Sequence, residues 1–374
     1  MKRVIFFLLI VCLGSGAWGA PLACTGQTGW RQFHGLNMHR TNPCETVLNV
    51  NNVANLSLLW SYTTGNIVLS SPAVAYGMVY VGSFDGNVYA LDTKTGKKRW
   101  SYATFGAVES SPAVANGVVY VGSDDSNVYA LDAKTGTKLW SYATNWYVHS
   151  PPTVANGVVY VGSQDFSLYA LDARTGAKLW SYPTGSWVLS SPAGLNGLVF
   201  VGSVDYHVYA LDAATGANRW TFTAGNHVDS GPALANGVVY AGSDDHNLYA
   251  LDARTGAKLW SYATGGGVTI SPAVANGVVY AGSWDNNIYA LDAQTGTKLW
   301  NYATGGSVDS SPAVADGVLY EGSYDGVLYA LDASSGAKLW SYTTASVVNS
   351  SPAVVNGVVY VGSWDGKVYA FGLK

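Results

Sequence analysis

Downstream of residue 19, no segment of the chain has the three-to-four-residue apolar spacing of an amphipathic helix. Hydrophobic residues come instead in short runs broken by glycine, asparagine and aspartate. From Ser111 to Ser123, the runs Pro112-Ala113-Val114-Ala115 and Val118-Val119-Tyr120-Val121 flank Asn116-Gly117. Asn-Gly between two such runs predicts a tight hairpin, because both central residues of a type I′ turn need positive φ. Asp125-Ser126-Asn127 then turns the chain into Val128-Tyr129-Ala130-Leu131. A third turn, Asp132-Ala133-Lys134-Thr135-Gly136, leads into Lys138-Leu139-Trp140-Ser141-Tyr142. Aspartate at the start of such a turn accepts backbone N–H groups, and the glycine supplies positive φ. The pattern predicts four short strands, A to D, in about 40 residues.

The unit recurs without a slip. Tryptophan returns at Trp60, Trp100, Trp140, Trp180, Trp220, Trp260, Trp300 and Trp340, and Gly-Ser at Gly82, Gly122, Gly162, Gly202, Gly242, Gly282, Gly322 and Gly362. Four strands at a fixed period of this length predict the blades of a β-propeller. The tryptophans are expected between neighbouring blades, where an indole buries roughly 150–250 Å². The last repeat, from Ser351, supplies strands A to C and lacks the D-strand tryptophan. Asn55 to Tyr62 is a D strand with no A to C before it. Together they make one blade, so the prediction is an all-β, eight-bladed propeller closed by an N-terminal D strand. Closure removes the two exposed edges of an open array. The expected division is 1–19 signal peptide, 20–50 N-terminal segment and 51–374 propeller, with no transmembrane span and a monomeric ring.

The opening Met1-Lys2-Arg3, the apolar run Val4 to Leu13 and the small residues after it fit a secretory signal peptide, with cleavage after Gly19. The protein is therefore expected to be exported, periplasmic or secreted. Without Lys2 and Arg3, 17 basic residues face 23 acidic ones, a net charge of −6. No basic run occurs, which argues against nucleic acid as a partner. Cys24 and Cys44 remain after cleavage, and an even pair in an exported protein predicts a disulfide. Acylation of Cys24 is the alternative, but Pro21-Leu22-Ala23 lacks the leucine expected three residues before such a cysteine.

The string Ala130-Leu131-Asp132-Ala133-Lys134-Thr135-Gly136-Thr137-Lys138-Leu139-Trp140 resembles the A-x-D-x-x-T-G-x-x-x-W motif of pyrroloquinoline-quinone-like (PQQ-like) propellers. It recurs in seven turns, imperfectly only at Ser334-Ser335-Gly336. The resemblance implies the propeller fold but two different functions. Quinoprotein alcohol dehydrogenases of this family seat PQQ beside a disulfide of adjacent cysteines and use a catalytic Asp with calcium. This sequence has no Cys-Cys pair. Other members, such as the eight-bladed outer-membrane assembly factor BamB, are non-enzymatic and bind protein partners. The resemblance to BamB-type propellers implies a scaffold with no catalytic residues, cofactor or metal. The alternative is a minimal PQQ- or Ca-dependent oxidoreductase with its site in the central channel.

Compared with one another, the repeats barely change in the A–B and C–D turns. They differ in the D–A connections and B–C turns, which strand order puts on one face. In the connections stand Glu109, Trp146, Tyr147, His149, Trp187, His227, Asp229, Thr269, Asp309 and Asn349, and in the turns Phe84, Phe166, Tyr206, His246, Trp284, Tyr324 and Trp364. This aromatic and acidic face is read as a ligand or partner surface; drift at unconstrained turn positions is the bland alternative. The residues after the repeated valine (Leu69, Glu109, His149, Leu189, Asp229, Thr269, Asp309 and Asn349) are expected to ring the channel mouth. No Ser/His/Asp order, phosphate-binding loop or zinc-protease spacing is present.

Overall fold

The computed structural model describes residues 29–33 and 39–374. The expected signal peptide and Cys24 lie outside the described residues. Eight four-stranded antiparallel sheets form a ring with the A strands innermost, each against the next around the axis. Blades 1 to 7 span 73–103, 113–143, 153–183, 193–223, 233–263, 273–303 and 313–343. Blade 8 joins Ala353–Val355, Val358–Gly362 and Lys367–Gly372 to the outer strand Ser57–Thr63, with Trp60 opposite Ala370. The ring closes as the repeat pattern predicts.

Blade 2 shows why these residues make this unit. Strands A to D are Ala113–Ala115, Val118–Gly122, Asn127–Asp132 and Lys138–Ala143. Asn116 and Gly117 have φ of 50° and 78°, the left-handed pair that a type I′ turn requires. In the C–D turn, the Asp132 carboxylate accepts the N–H of Lys134 at 3.0 Å and of Thr135 at 2.8 Å. A bulge in strand D sets Lys138 against Leu131 but Trp140 against Ala130, leaving Leu139 exposed to solvent.

The tryptophans form the seams between blades. The Trp100 indole donates to the Ala133 carbonyl of blade 2 at 3.0 Å, and the Tyr80 hydroxyl donates to the same oxygen at 3.0 Å. The ring of Trp100 lies on Gly136, where a Cβ would come within 2.7 Å of it. The glycine of each C–D turn therefore leaves room for the preceding blade's indole. At closure, Trp340 donates to Leu56 O and Trp60 to Thr93 O.

The N-terminal segment runs along the inner edges of the A strands. Trp30 O and Arg31 O accept the N–H groups of Val74 and Val114, both at 2.6 Å. His39 O and Arg40 O accept those of Val274 and Val314, and Thr41–Asn42 pairs in parallel with Ala313–Ala315. Otherwise those inner N–H groups would line the channel without ladder partners. Arg40 is fully buried, and its guanidinium donates to the carbonyls of Pro312 (2.9 Å), Ser311 (3.2 Å) and Phe33. In strand B of blade 7, Glu321 holds a position that is valine or alanine in every other blade. Its fully buried carboxyl is pushed well above the usual carboxylate range by burial, with Arg40 pulling the other way.

Candidate functional site

Two constant contacts fix the varying residues of the loop face. The repeated valine is buried in every D–A connection, and Val148 N donates to Ser123 O at 3.2 Å. Gly122 lacks a Cβ where the side chain and carbonyl of Val148 occupy the space. The constant aspartate of the B–C turn is the second clamp. Asp165 Oδ2 accepts Asn145 N at 2.9 Å and the Tyr169 hydroxyl at 2.7 Å, binding the turn to the connection before it. On this rigid base, the residues flanking the valine and the one before the aspartate are free to differ.

A central cavity of about 300 Å³ opens among them. Six of the eight predicted ring residues line it: Leu69, Leu189, Asp229, Thr269, Asp309 and Asn349. Serines such as Ser71, Ser111 and Ser311 line it further in, and Phe33 of the N-terminal segment bounds it. Among the described residues, none of its lining is lysine or arginine.

The ionisable residues form three groups. Asp309 is saturated: it accepts Thr269 Oγ1 at 2.7 Å, Asn349 Nδ2 at 2.8 Å, Trp284 Nε1 at 3.3 Å and the Tyr324 hydroxyl at 3.4 Å. His149 lies between two acids, with Nε2 2.9 Å from Asp124 Oδ1 and Nδ1 3.6 Å from Glu109 Oε2. Gln164 Nε2 reaches the same Nδ1 at 3.0 Å. Burial alone would lower the His149 pKa, but Asp124 and Glu109 outweigh it and the value is raised. The Glu109 carboxyl is raised by burial, against the pull of His149. The third group is His227, Asp229 and Asp244, in which His227 Nδ1 stands 3.6 Å from Asp244 Oδ2. Burial, followed by the charge of Asp244, pushes Asp229 up to about 6.

The predicted aromatic residues separate into two sets. Trp284 and Trp364 belong to the cavity side with Tyr324, which meets Trp364 edge-on at 5.6 Å. Trp146 and Trp187 are 53% and 43% exposed on the loops of blades 3 and 4. Trp146 leans on Tyr147 (5.5 Å), and Tyr147 stacks on His149 (6.0 Å, 12°). Phe166 and Tyr206, in the B–C turns of these blades, are exposed and have φ of 70° and 77°. Blades 1, 7 and 8 use Gly86, Gly326 and Gly366 at that position.

Asp124 and Asp244 are functional candidates that the sequence pattern did not bring out. They occupy the column of Trp284 and Trp364, directly before the constant aspartate, where an Asp-Asp pair reads as turn chemistry. Aligning that column by itself isolates them.

The family model described as outer membrane protein assembly factor BamB matches residues 21–150, 145–228, 205–309 and 303–374. No curated protein matches the chain. Among solved structures, BamB from Moraxella catarrhalis superposes with a TM-score of 0.75 at 22% identity, covering 85% of this chain and 99% of that one. A europium-containing methanol dehydrogenase gives 0.79 at 17% identity, covering 92% and 98%. Quinohemoprotein alcohol dehydrogenase from Comamonas testosteroni gives 0.78 at 18%, covering 92% and 80%. At these identities the likeness is one of fold.

Proposed function

The chain belongs to the family of outer membrane protein assembly factor BamB, and from that premise we propose an exported, non-enzymatic scaffold. It binds a protein partner on the face of its D–A connections and B–C turns. The observation that supports this is the placement of Phe166 and Tyr206. Holding a bulky aromatic at positive φ costs roughly 1–3 kcal/mol, and glycine avoids that cost in blades 1, 7 and 8. Both side chains are more than 40% exposed, so burial within the fold does not fully repay the strain. A partner covering them, with Trp146 and Trp187, does. Exposed tryptophan and tyrosine anchors are what interface hot spots are made of.

The test is a photo-crosslinking residue placed at 146 or 187, with 139 or 179 on the outer rim as controls. In cells, adducts with a discrete set of envelope proteins are expected from the face positions and not from the rim. Equal labelling at both would overturn the proposal.

A quinone-dependent oxidoreductase is the second reading, favoured by the fold of the two dehydrogenases. The cavity chemistry argues against it. A quinone bearing several carboxylates would meet Asp229 and Asp309, with no lysine or arginine among the described lining residues. The sequence also has no adjacent cysteines to seat it. Dye-linked alcohol oxidation that needs added quinone and calcium, and disappears in Asp229→Ala or Asp309→Ala, would establish the enzyme instead.

A further inference from the structure

Blade 5 is the only repeat in which all three variable columns hold metal-ligating side chains: His227 before the valine, Asp229 after it and Asp244 before the constant aspartate. One ligand atom from each lies within 4.8 Å of the other two. In the other His/carboxylate cluster, Glu109, Asp124 and His149, the two buried atoms without a hydrogen bond, His149 Nε2 and Asp124 Oδ1, face each other at 2.9 Å, and Gln164 reaches His149 Nδ1. In blade 5, Asp229 Oδ1 and Asp244 Oδ1 are both shielded from solvent without a hydrogen-bond partner, an unfavourable state for a buried acceptor. The next connection has Gly267 in the column of His227, where a Cβ would stand 3.2 Å from the Trp284 ring and 3.5 Å from Asp244 Oδ1. Asp309 faces the group as a further negative charge, but its own oxygens are taken by four donors. Asp245 and His246 are the remaining ionisable neighbours of Asp244.

We propose that His227, Asp229 and Asp244 bind one divalent transition-metal ion, with zinc the best match. Imidazole with two carboxylates is a donor set that zinc accepts at four-coordination, with one position left open. Calcium needs six to eight oxygens and makes little use of imidazole. A bound cation would satisfy both orphaned oxygens and offset the carboxylates that crowd this side of the cavity. The inference does not depend on the partner-binding face, because the ion is held whether or not anything docks above it.

Metal-free full-length protein would be titrated with Zn²⁺ by calorimetry, with Co²⁺ absorbance reporting ligand geometry. One equivalent is expected to bind and to raise the melting temperature. Affinity should fall by at least about tenfold, the loss that even outer-shell changes cause at metal sites, in His227→Ala and in Asp229→Asn. Because Asp229→Asn removes one of two crowded carboxylates, its metal-free melting temperature should not fall, which separates lost binding from lost folding. Glu109→Gln is expected to bind normally. Absence of binding, binding that survives both blade 5 substitutions, binding lost only in Glu109→Gln, or a preference for Ca²⁺ would each overturn the proposal.

Discussion

Two tryptophans six residues apart show how position in the repeat decides what a residue does. Trp140 lies over Gly176 of the next blade and donates to Ala173 O at 3.1 Å, whereas Trp146 projects from a connection. Trp140→Ala is expected to cost about 3 kcal/mol, the low end for buried aromatic truncations because the ring is half-buried. Trp146→Ala should change stability by no more than about 0.5 kcal/mol. Urea unfolding of the two variants checks both values. His149 gives a pH dependence of definite sign. Its pKa is raised in the folded state, so its contribution is complete below the ordinary histidine pKa of about 6.5. The contribution is lost as pH rises through the raised value. The gap in melting temperature between the native protein and His149→Gln should therefore narrow as pH rises above about 6.5; a widening gap would contradict the assignment.

Among the elements, the blades were legible in the sequence and the N-terminal segment was not. Asn116-Gly117, Asp132 and Trp140 announce their structures because each answers a local demand: positive φ, turn N–H groups, or a flat ring on a glycine. The placement of Trp30, Arg31 and His39 to Asn42 along the inner strands has no such signal. Its one clue is a pair far apart in sequence, Arg40 and the lone Glu321 in a column of valine and alanine, and no periodic rule connects them. The loop-face site was half legible for a related reason. Comparing repeats finds Asp229 and Asp309, but Asp244 is masked by the constant Asp245 beside it. The buried carboxyl can be tested directly. Both Glu321 oxygens lack a hydrogen-bond partner, and the Arg40 guanidinium is already satisfied by three carbonyls. Glu321→Val, which restores the residue of most other blades, is therefore expected not to lower stability in urea unfolding. A loss of about 3 kcal/mol or more, the cost of breaking a buried ion pair, would show instead that Arg40 relies on the charge of Glu321.

For the whole molecule, near-identical blades create a problem of rotational choice. Eight similar inner edges offer the N-terminal segment eight similar seats, and Glu321 makes blade 7 unlike the rest. The proposed Cys24–Cys44 cross-link would hold that segment in place, at a value of about 3 kcal/mol for a loop of this length. Alkylation mass spectrometry of exported protein is expected to label neither cysteine before reduction; two labelled thiols, or a lipid on Cys24, would refute the link. The pairing of Trp60 with Ala370 also has a consequence in time. Ser57–Thr63 leaves the ribosome long before its partner Lys367–Gly372 has been made. At ordinary synthesis rates the early strand waits roughly tens of seconds with an unpaired edge. The newborn chain therefore depends on whatever shields that edge along its route, and the ring cannot close until Lys367–Gly372 has arrived.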